Sequence, residues 1–542
     1  MTRAKKSLDA PFAVFDIESL NWNEFRVAQF VTSEGDAVRC DTAAALSQEV
    51  ERFKGRVFAH YGGRYDFFFL DEPSTVALSG SGILRAQLGQ ASLYDSWFLF
   101  QMALAKVGKA VGHLKHEGKS DRIDELTLDE TAEHCRNDCE VLRIALLKHR
   151  QWCRDMPHDE PRWPATAGGT AVYALEAYEP DGVAHLRGER VELADWFHQY
   201  SSVTGGRVEL WQVGRVKGPV YSYDIRSSYP RSWLDGPLPL GPWRRVDVEQ
   251  PDGVPGVYLC RVEQSRSTLP VVAPGHQWRY DGETWLTHEE VAEVRLHGGR
   301  VEVLDGWASQ TPAVAFGQHF ARSMYALKAK GDPWAKVSIN SAHGKFGQGV
   351  LQTSWARRHG RWEADFELGF PAWHQRPLVS AFVLSRARLR LHRALHALKA
   401  KGFRCLYVDT DCVHTDCPPE QFPGELGDEL GQWAHEATAE EAVYVAPKVY
   451  ALRLAGGGVK MAAKGLPRDK VTFEAMLEAA RGNPVSFSTD AGLVGFRRLG
   501  GVWEPRRSRS VRRLQTQTGG KRHAVSHSGI TGQLTYPDAD AR

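Results

Sequence analysis

At 542 residues the chain has room for about three to four domains. Its 42% hydrophobic and 25% charged residues fit a globular protein, and a net charge of +2 excludes an overall basic molecule, so nucleic-acid contact must come from local clustering of charge. Eight cysteines (40, 135, 139, 153, 260, 405, 412 and 417) form no CxxC pair or zinc-ligand spacing, no apolar run approaches a membrane span and the N-terminus lacks a signal-peptide core. The expectation is a reduced, cytoplasmic chain with no membrane contact.

In chain order, residues 12–17 read as an apolar strand, which puts Asp16 and Glu18 on one side. Asp66 follows a glycine-containing segment, 60–65. A capping box, Thr127-x-x-Glu130, opens a helix on which His134 and Asp138 are one turn apart. Four carboxylates from three segments suit two-metal phosphodiester hydrolysis, although each alone reads equally as a solvated acid. Proline-rich 156–164 reads as a linker. Gly205-Gly206-Arg207 is a turn whose glycines permit close backbone approach.

The strand-like run 219–223 then delivers Asp224 at its end, followed by Ile-Arg-Ser227-Ser228-Tyr229-Pro. Residues 249–306 are long for a connection, and Trp285-Leu-Thr-His-Glu-Glu starts a helix within them. Asp332 as N-cap and Pro333 at the first helical position open a helix that places Lys336, Asn340 and His343 on one face, with Lys328 just upstream. Residues 350–377 read as a hairpin and 378–398 as a helix with Arg386, Arg388 and Arg390 among its polar positions.

The run 405–413 reads as strand-turn-strand and carries Tyr407-Val-Asp409-Thr410-Asp411, two carboxylates at a second strand end. Lys448 and Tyr450 alternate on one strand face. The stretch ending near 513 is basic, with Arg497, Arg498, Arg506, Arg507, Arg509, Arg512 and Arg513 against Glu504, a solvated face or a phosphate grip. The last twenty or so residues have a disordered composition.

The order of these segments resembles the family B DNA polymerases. Asp224 to Pro230, Lys336 to Gly344 and Tyr407 to Asp411 match their polymerase motifs; Asp16-Ile-Glu18, Asp66 and Asp138 match their three 3′–5′ exonuclease motifs; and Lys448-Val-Tyr450 matches their primer-strand motif. The compact spacing is most similar to the protein-primed branch of linear phages and linear plasmids. That resemblance implies a mixed α/β (α+β) fold, an RNase H-like 3′–5′ exonuclease domain at 1–160 followed by a right-hand polymerase domain at 161–514. Within the latter it implies palm at 161–315 and 378–450, fingers at 316–349, thumb at 451–514 and insertions at about 249–306 and 350–377, with 515–542 a disordered tail.

The resemblance also assigns roles. Asp224, Asp409 and Asp411 would hold Mg²⁺ for polymerisation, and Asp16, Glu18, Asp66 and Asp138 would do so for the exonuclease, with Mn²⁺ as a substitute. His134, where the family has Tyr, would orient the attacking water, and its protonation would then matter near neutral pH. Tyr229 would be the steric gate beneath the sugar. Ser227, Ser228, Lys336, Asn340, His343 (a family Tyr) and Lys328 would contact the nucleotide. Lys448, Tyr450, Gly205, Gly206, Arg207, Tyr61 (a family Asn), Lys119, Arg506, Arg507 and Arg512 would contact DNA. Implied partners are DNA template and primer, dNTPs, a terminal protein and a single-strand-binding protein, with the enzyme a monomer. Two other readings stand beside this one: a relative that uses conventional or self-made primers, and a nucleic-acid-binding protein with a decayed site. Intact Asp224, Asp409, Asp411, Lys336 and Asn340 argue against decay.

Overall fold

The computed structural model describes residues 8–535 apart from 22, 81, 116–119, 274–279, 494–495, 497–501, 504–506, 517–522 and 525–531. The strand expected at 12–17 extends over Phe12–Leu20, pairs parallel with Arg56–Ala59, and Arg56–Ala59 pairs parallel with Ala91–Asp95; antiparallel strands extend the sheet on both sides. The helix Leu128–Asp155 lies across Phe12–Leu20 and Glu24–Thr32. Its capping box is present: Thr127 Oγ1 accepts from Glu130 N at 3.3 Å while Thr127 N donates to Glu130 Oε2 at 2.9 Å.

The expected hairpin is Leu351–Arg358 with Arg361–Leu368. Its first strand also pairs with Thr75–Ser79, so it becomes the edge of the N-terminal sheet. Trp355 and Trp362 pack on Phe496, and Trp503 Nε1 donates to the Leu70 carbonyl at 2.9 Å, so three distant segments share one aromatic cluster.

A second large sheet runs in the order Val459–Ala463, Val449–Leu454, Trp433–Ala446, Gln212–Ile225, Cys412–Thr415, Cys405–Asp409, Val208–Leu210. The strand Val459–Ala463, which the sequence reading puts beyond the palm boundary, is thus the edge of the sheet that carries Asp224 and Asp409. A smaller four-stranded sheet is formed by Trp243–Val246, Arg300–Ser309, Gly256–Glu263 and Asp281–Thr287, and the helix His288–Leu296 starts with a second capping box, Thr287 and Glu290. Segment 249–306 is therefore part of an element with its own sheet, which spans residues 243–309.

Helices Gln318–Ala329 and Pro333–Phe346 pack on each other and the second also on Ala167–Tyr178. Asp332 caps as expected, its Oδ1 accepting from Trp334 N and Ala335 N at 2.8 and 2.9 Å. Its other oxygen accepts from Trp152 Nε1 at 3.0 Å, which fastens this helix to the end of Leu128–Asp155. The segment expected as a linker is packed: Trp163 is buried against Phe12 and Phe58, and one apolar core runs from Phe12 through Trp163 to Trp334 and Phe346. Within the expected tail, His523–Ala524 pairs with Gly532–Thr535, which also pairs with Gln212–Ile225. Among the described residues no helix is long and apolar enough to cross a membrane.

Candidate active sites

The sheet geometry brings the N-terminal carboxylates together. Asp16 and Glu18 project from one face of Phe12–Leu20, Asp66 opens the short helix Asp66–Phe69, and His134 and Asp138 face them from Leu128–Asp155. One donor atom each of Glu18, His134 and Asp138 lies within 4.8 Å of the others, and His134 Nε2 is 3.6 Å from Glu18 Oε1. Burial, then the charges of Asp138, Glu18 and Asp66, hold Asp16 well above the ordinary carboxylate range; burial and then Asp138 push Glu18 up to about 7; burial foremost raises Asp66. Buried acids that oppose one another's ionisation are relieved by a cation, and an oxygen-rich donor set suits a hard divalent ion.

Lys115 already contributes positive charge here, with Nζ 2.5 Å from Asp138 Oδ2. The sequence reading chose Lys119, which lies outside the described residues, and missed Lys115. Tyr61 sits in the left-handed region at φ +64°, and its ring stacks on Trp97 with centroids 4.5 Å apart. The buried carboxylate Asp95 fixes this pair by accepting from Trp97 N at 2.9 Å.

The C-terminal carboxylates meet across adjacent strands of the second sheet. Asp224 near the end of Gln212–Ile225 is directly opposite Cys412, which follows the turn Asp409-Thr410-Asp411, and Ile225 N donates to the Asp411 carbonyl at 2.8 Å. Thr410 makes that turn at φ +62°. Burial, then Asp411 and Glu436, push Asp224 up to about 7, while burial and then Asp409 push Asp411 up to about 6. Asp409 is held by Tyr407 OH, donating at 3.1 Å, and by Lys448 Nζ at 2.5 and 2.8 Å from its two oxygens.

Facing these acids, Lys328 Nζ donates to Ser227 Oγ at 2.7 Å, and burial followed by the neighbouring charge of Lys336 lowers its pKa. Lys336 and Asn340 are exposed on the same helical face, as expected, and His343 is half-buried beside them. Its ring stacks on Tyr229 with centroids 4.0 Å apart and planes at 24°. Burial lowers the His343 pKa to about 4, so the stacked ring is neutral. Ser228 is buried, and its carbonyl accepts from Arg390 Nη1 at 3.1 Å.

Three expectations change. Arg207 is not on the surface: its side chain is fully buried, paired with buried Glu209, and donates to the Pro270 carbonyl at 3.0 Å. A solvent-facing phosphate contact is therefore excluded for it, and its backbone carbonyl instead accepts from Thr410 N at 2.6 Å. Lys448 does not alternate with Tyr450 along a strand, because it lies at φ +64° in the turn before Val449–Leu454. Ser228 offers a structural hydroxyl rather than an open one. Gly206 is sterically required by its own surroundings: a Cβ there would lie 2.9 Å from Thr410 and 3.0 Å from Tyr229 OH, whereas Gly205 has open space. Arg512 is exposed on Arg507–Leu514; the side chain of Arg507 and the whole of Arg506 lie outside the described residues.

No family model matches the chain. It is similar to the DNA-directed DNA polymerase of Enterobacteria phage PRD1, 24% identical over 459 residues that cover 76% of each chain. It is also similar to the DNA polymerase of Bacillus phage Nf, 24% identical over 259 residues, 42% of this chain and 44% of that one. Among solved structures, Phi29 DNA polymerase complexed with primer-template DNA superposes with a TM-score of 0.75 at 16% identity, covering 93% of this chain and all of that one. Phi29 DNA polymerase complexed with single-stranded DNA gives 0.72 at 16% identity, covering 89% and 96%. The two carboxylate clusters stand in the motif order of that fold: the chain has the fold of Phi29 DNA polymerase and is similar in sequence to the DNA-directed DNA polymerase of phage PRD1.

Proposed function

We propose that this polymerase copies a linear genome from the hydroxyl of a terminal protein, displaces the non-template strand and proofreads with a 3′–5′ exonuclease, acting as a monomer in the host cytoplasm with help from a single-strand-binding protein. The observation that carries the reaction is the meeting of Asp224 with the Asp409-Thr410-Asp411 turn on adjacent strands, opposite the ammonium groups of Lys328 and Lys336. Mg²⁺, or Mn²⁺ in its place, would be held by Asp224, Asp409 and Asp411 and would supply charge neutralisation at the reacting phosphate. Around it, Lys328 and Lys336 attract the triphosphate, and Ser227 is steered by Lys328. Tyr229 and His343 form a wall against which sugar and base pair settle. Lys448 and Tyr450 would hold the primer end, with Lys448 paired to Asp409 until DNA arrives.

In the N-terminal cluster, Asp16, Glu18, Asp66 and Asp138 would hold the same ions. His134 Nε2 and Glu18 Oε1, 3.6 Å apart, could both hydrogen-bond one water lying to their side, and Lys115 balances the charge of Asp138. The stacked Tyr61 and Trp97 offer an aromatic face for an unpaired 3′ base.

Asp409→Ala removes a carboxylate from one cluster only. Primer extension should fall at least about a hundredfold while single-strand degradation persists; extension within tenfold of wild type refutes the assignment. With terminal protein from the same replicon, wild type should form a covalent protein–nucleotide adduct on addition of Mg²⁺ and dNTP. Good extension of ordinary primers with no adduct for any partner from that replicon would hand the function to the conventional-primer reading.

A further inference from the structure

Away from both carboxylate clusters, a third group of side chains has metal-ligand chemistry and no part in the reactions above. The helix His288–Leu296 carries Glu293, and His297 follows at its C-terminal end; the helix Pro377–Ala400 carries His392 and His396. Each pair is spaced i, i+4, which puts its members on one face, and the two faces meet. The His297 ring centroid is 5.0 Å from that of His392 and 4.4 Å from that of His396. Glu293 Oε1 is 3.5 Å from His297 Nε2, and one donor atom each of Glu293, His297 and His392 lies within 4.8 Å of the others. Two ligands of a tetrahedral zinc ion, each about 2.1 Å from it, are about 3.4 Å apart. Glu293 and His297 already stand at nearly that separation.

The surroundings hold these groups for a ligand. Arg393 donates to Glu293 Oε2 at 2.6 and 3.1 Å, which leaves Oε1 turned toward His297. His392 is fully buried, and its Nε2 has no hydrogen-bond partner. A buried polar atom left so is costly, and a metal ion is one way to satisfy it. A cavity of about 940 Å³ reaches Glu293, with Glu289, Arg231, Arg386, Arg390 and Arg393 also in its lining.

We propose that Glu293, His297 and His392, with His396 beside them, form a binding site for a divalent transition metal, zinc by ligand type. Two or three imidazoles with one carboxylate select zinc or its neighbours over Mg²⁺, which favours oxygen. Arg207 Nη1 makes a 3.3 Å contact to His392 Nδ1, which keeps the ring proton on Nε2. Taking the ion moves that proton to Nδ1, and Arg207 gives up the contact while keeping Glu209 and the Pro270 carbonyl. The ion clips the helix of the 249–306 segment to the helix whose Arg388 and Arg390 hold the Gly205 and Ser228 carbonyls. Its role is to fix the seat of the polymerase carboxylates from behind.

The full-length protein is stripped with a chelator and titrated with Zn²⁺ by calorimetry, then with Co²⁺ while its visible spectrum is followed. Wild type should bind Zn²⁺ at least about tenfold more tightly than His297→Ala or His396→Ala. It should also show tetrahedral Co²⁺ bands and a rise in unfolding temperature on Zn²⁺ addition that both variants lack. His297 and His396 are chosen because neither is fully buried, unlike His392. Glu18, His134 and Asp138 form a second group of similar spacing, so Glu18→Ala is measured alongside and should keep the histidine-dependent bands. Equal Zn²⁺ affinity in wild type and His297→Ala overturns the proposal, as does loss of the Co²⁺ bands in Glu18→Ala.

Discussion

A tyrosine ring stacked on a neutral imidazole makes a flat, uncharged surface, and Tyr229 on His343 is such a pair beside the polymerase carboxylates. A Cβ at Gly206 would lie 3.0 Å from Tyr229 OH, so the glycine lets the phenol reach the position where it would meet a 2′ hydroxyl. Tyr229→Val should therefore raise ribonucleotide incorporation by at least about tenfold in single-turnover assays, a loss of discrimination worth over about 1.4 kcal/mol, with a smaller effect on deoxynucleotides. Unchanged discrimination would return Tyr229 to a packing role. Tyr229 and His343 were legible because each lies in a short motif that resembles a family B polymerase motif, although the fold brings the two rings together from distant segments. Lys115 was not: its partner Asp138 is 23 residues away and reached only through the fold. Arg207 is a DNA contact only by the resemblance of its segment, and nothing local reveals that Glu209 and Pro270 enclose it.

At the scale of elements, caps and hairpins were legible and their docking was not. Asp332 and Pro333 announce the helix that presents Lys336, Asn340 and His343, and Thr127 with Glu130 announces Leu128–Asp155. The arginines of Pro377–Ala400 looked like a polar stripe; instead Arg386, Arg388 and Arg390 bind carbonyls and acids of three other segments. Likewise the hairpin Leu351–Arg358 and Arg361–Leu368 was visible in its turn, but not its pairing with Thr75–Ser79, which spans over 270 residues of chain. That pairing ties the hairpin to the N-terminal sheet on one side, while Phe366 and Leu368 remain exposed on it. Deleting 352–373 should leave short gap filling intact but impair strand displacement and long products, as read on a primed single-stranded circle. Full-length displacement products from the deletion variant would remove the hairpin from that role.

Over the whole molecule, the two halves meet through buried polar groups as well as apolar ones, and His149 is at the centre. Its Nδ1 accepts from Trp163 Nε1 at 3.1 Å, its Nε2 is 3.2 Å from Thr170 Oγ1, and its ring lies edge-on to Trp334. It therefore touches the long N-terminal helix, the segment that reads as a linker and a helix of the polymerase half. Burial, with Arg56 nearby, pushes its pKa down to about 3. The sign follows from that direction: the unfolded ring takes a proton near pH 6.5 and the folded ring does not, so its contribution to stability is complete above 6.5 and is lost as pH falls toward 3. Between pH 6.5 and 5 the loss is about 2 kcal/mol. His149→Gln keeps one donor and one acceptor but cannot titrate. It should be less stable than wild type at pH 7.5, and the gap should close by about that amount at pH 5 in urea unfolding followed by tryptophan fluorescence. A gap that stays constant with pH would mean that the ring is not held neutral, and that the junction between the halves does not carry this acid sensitivity.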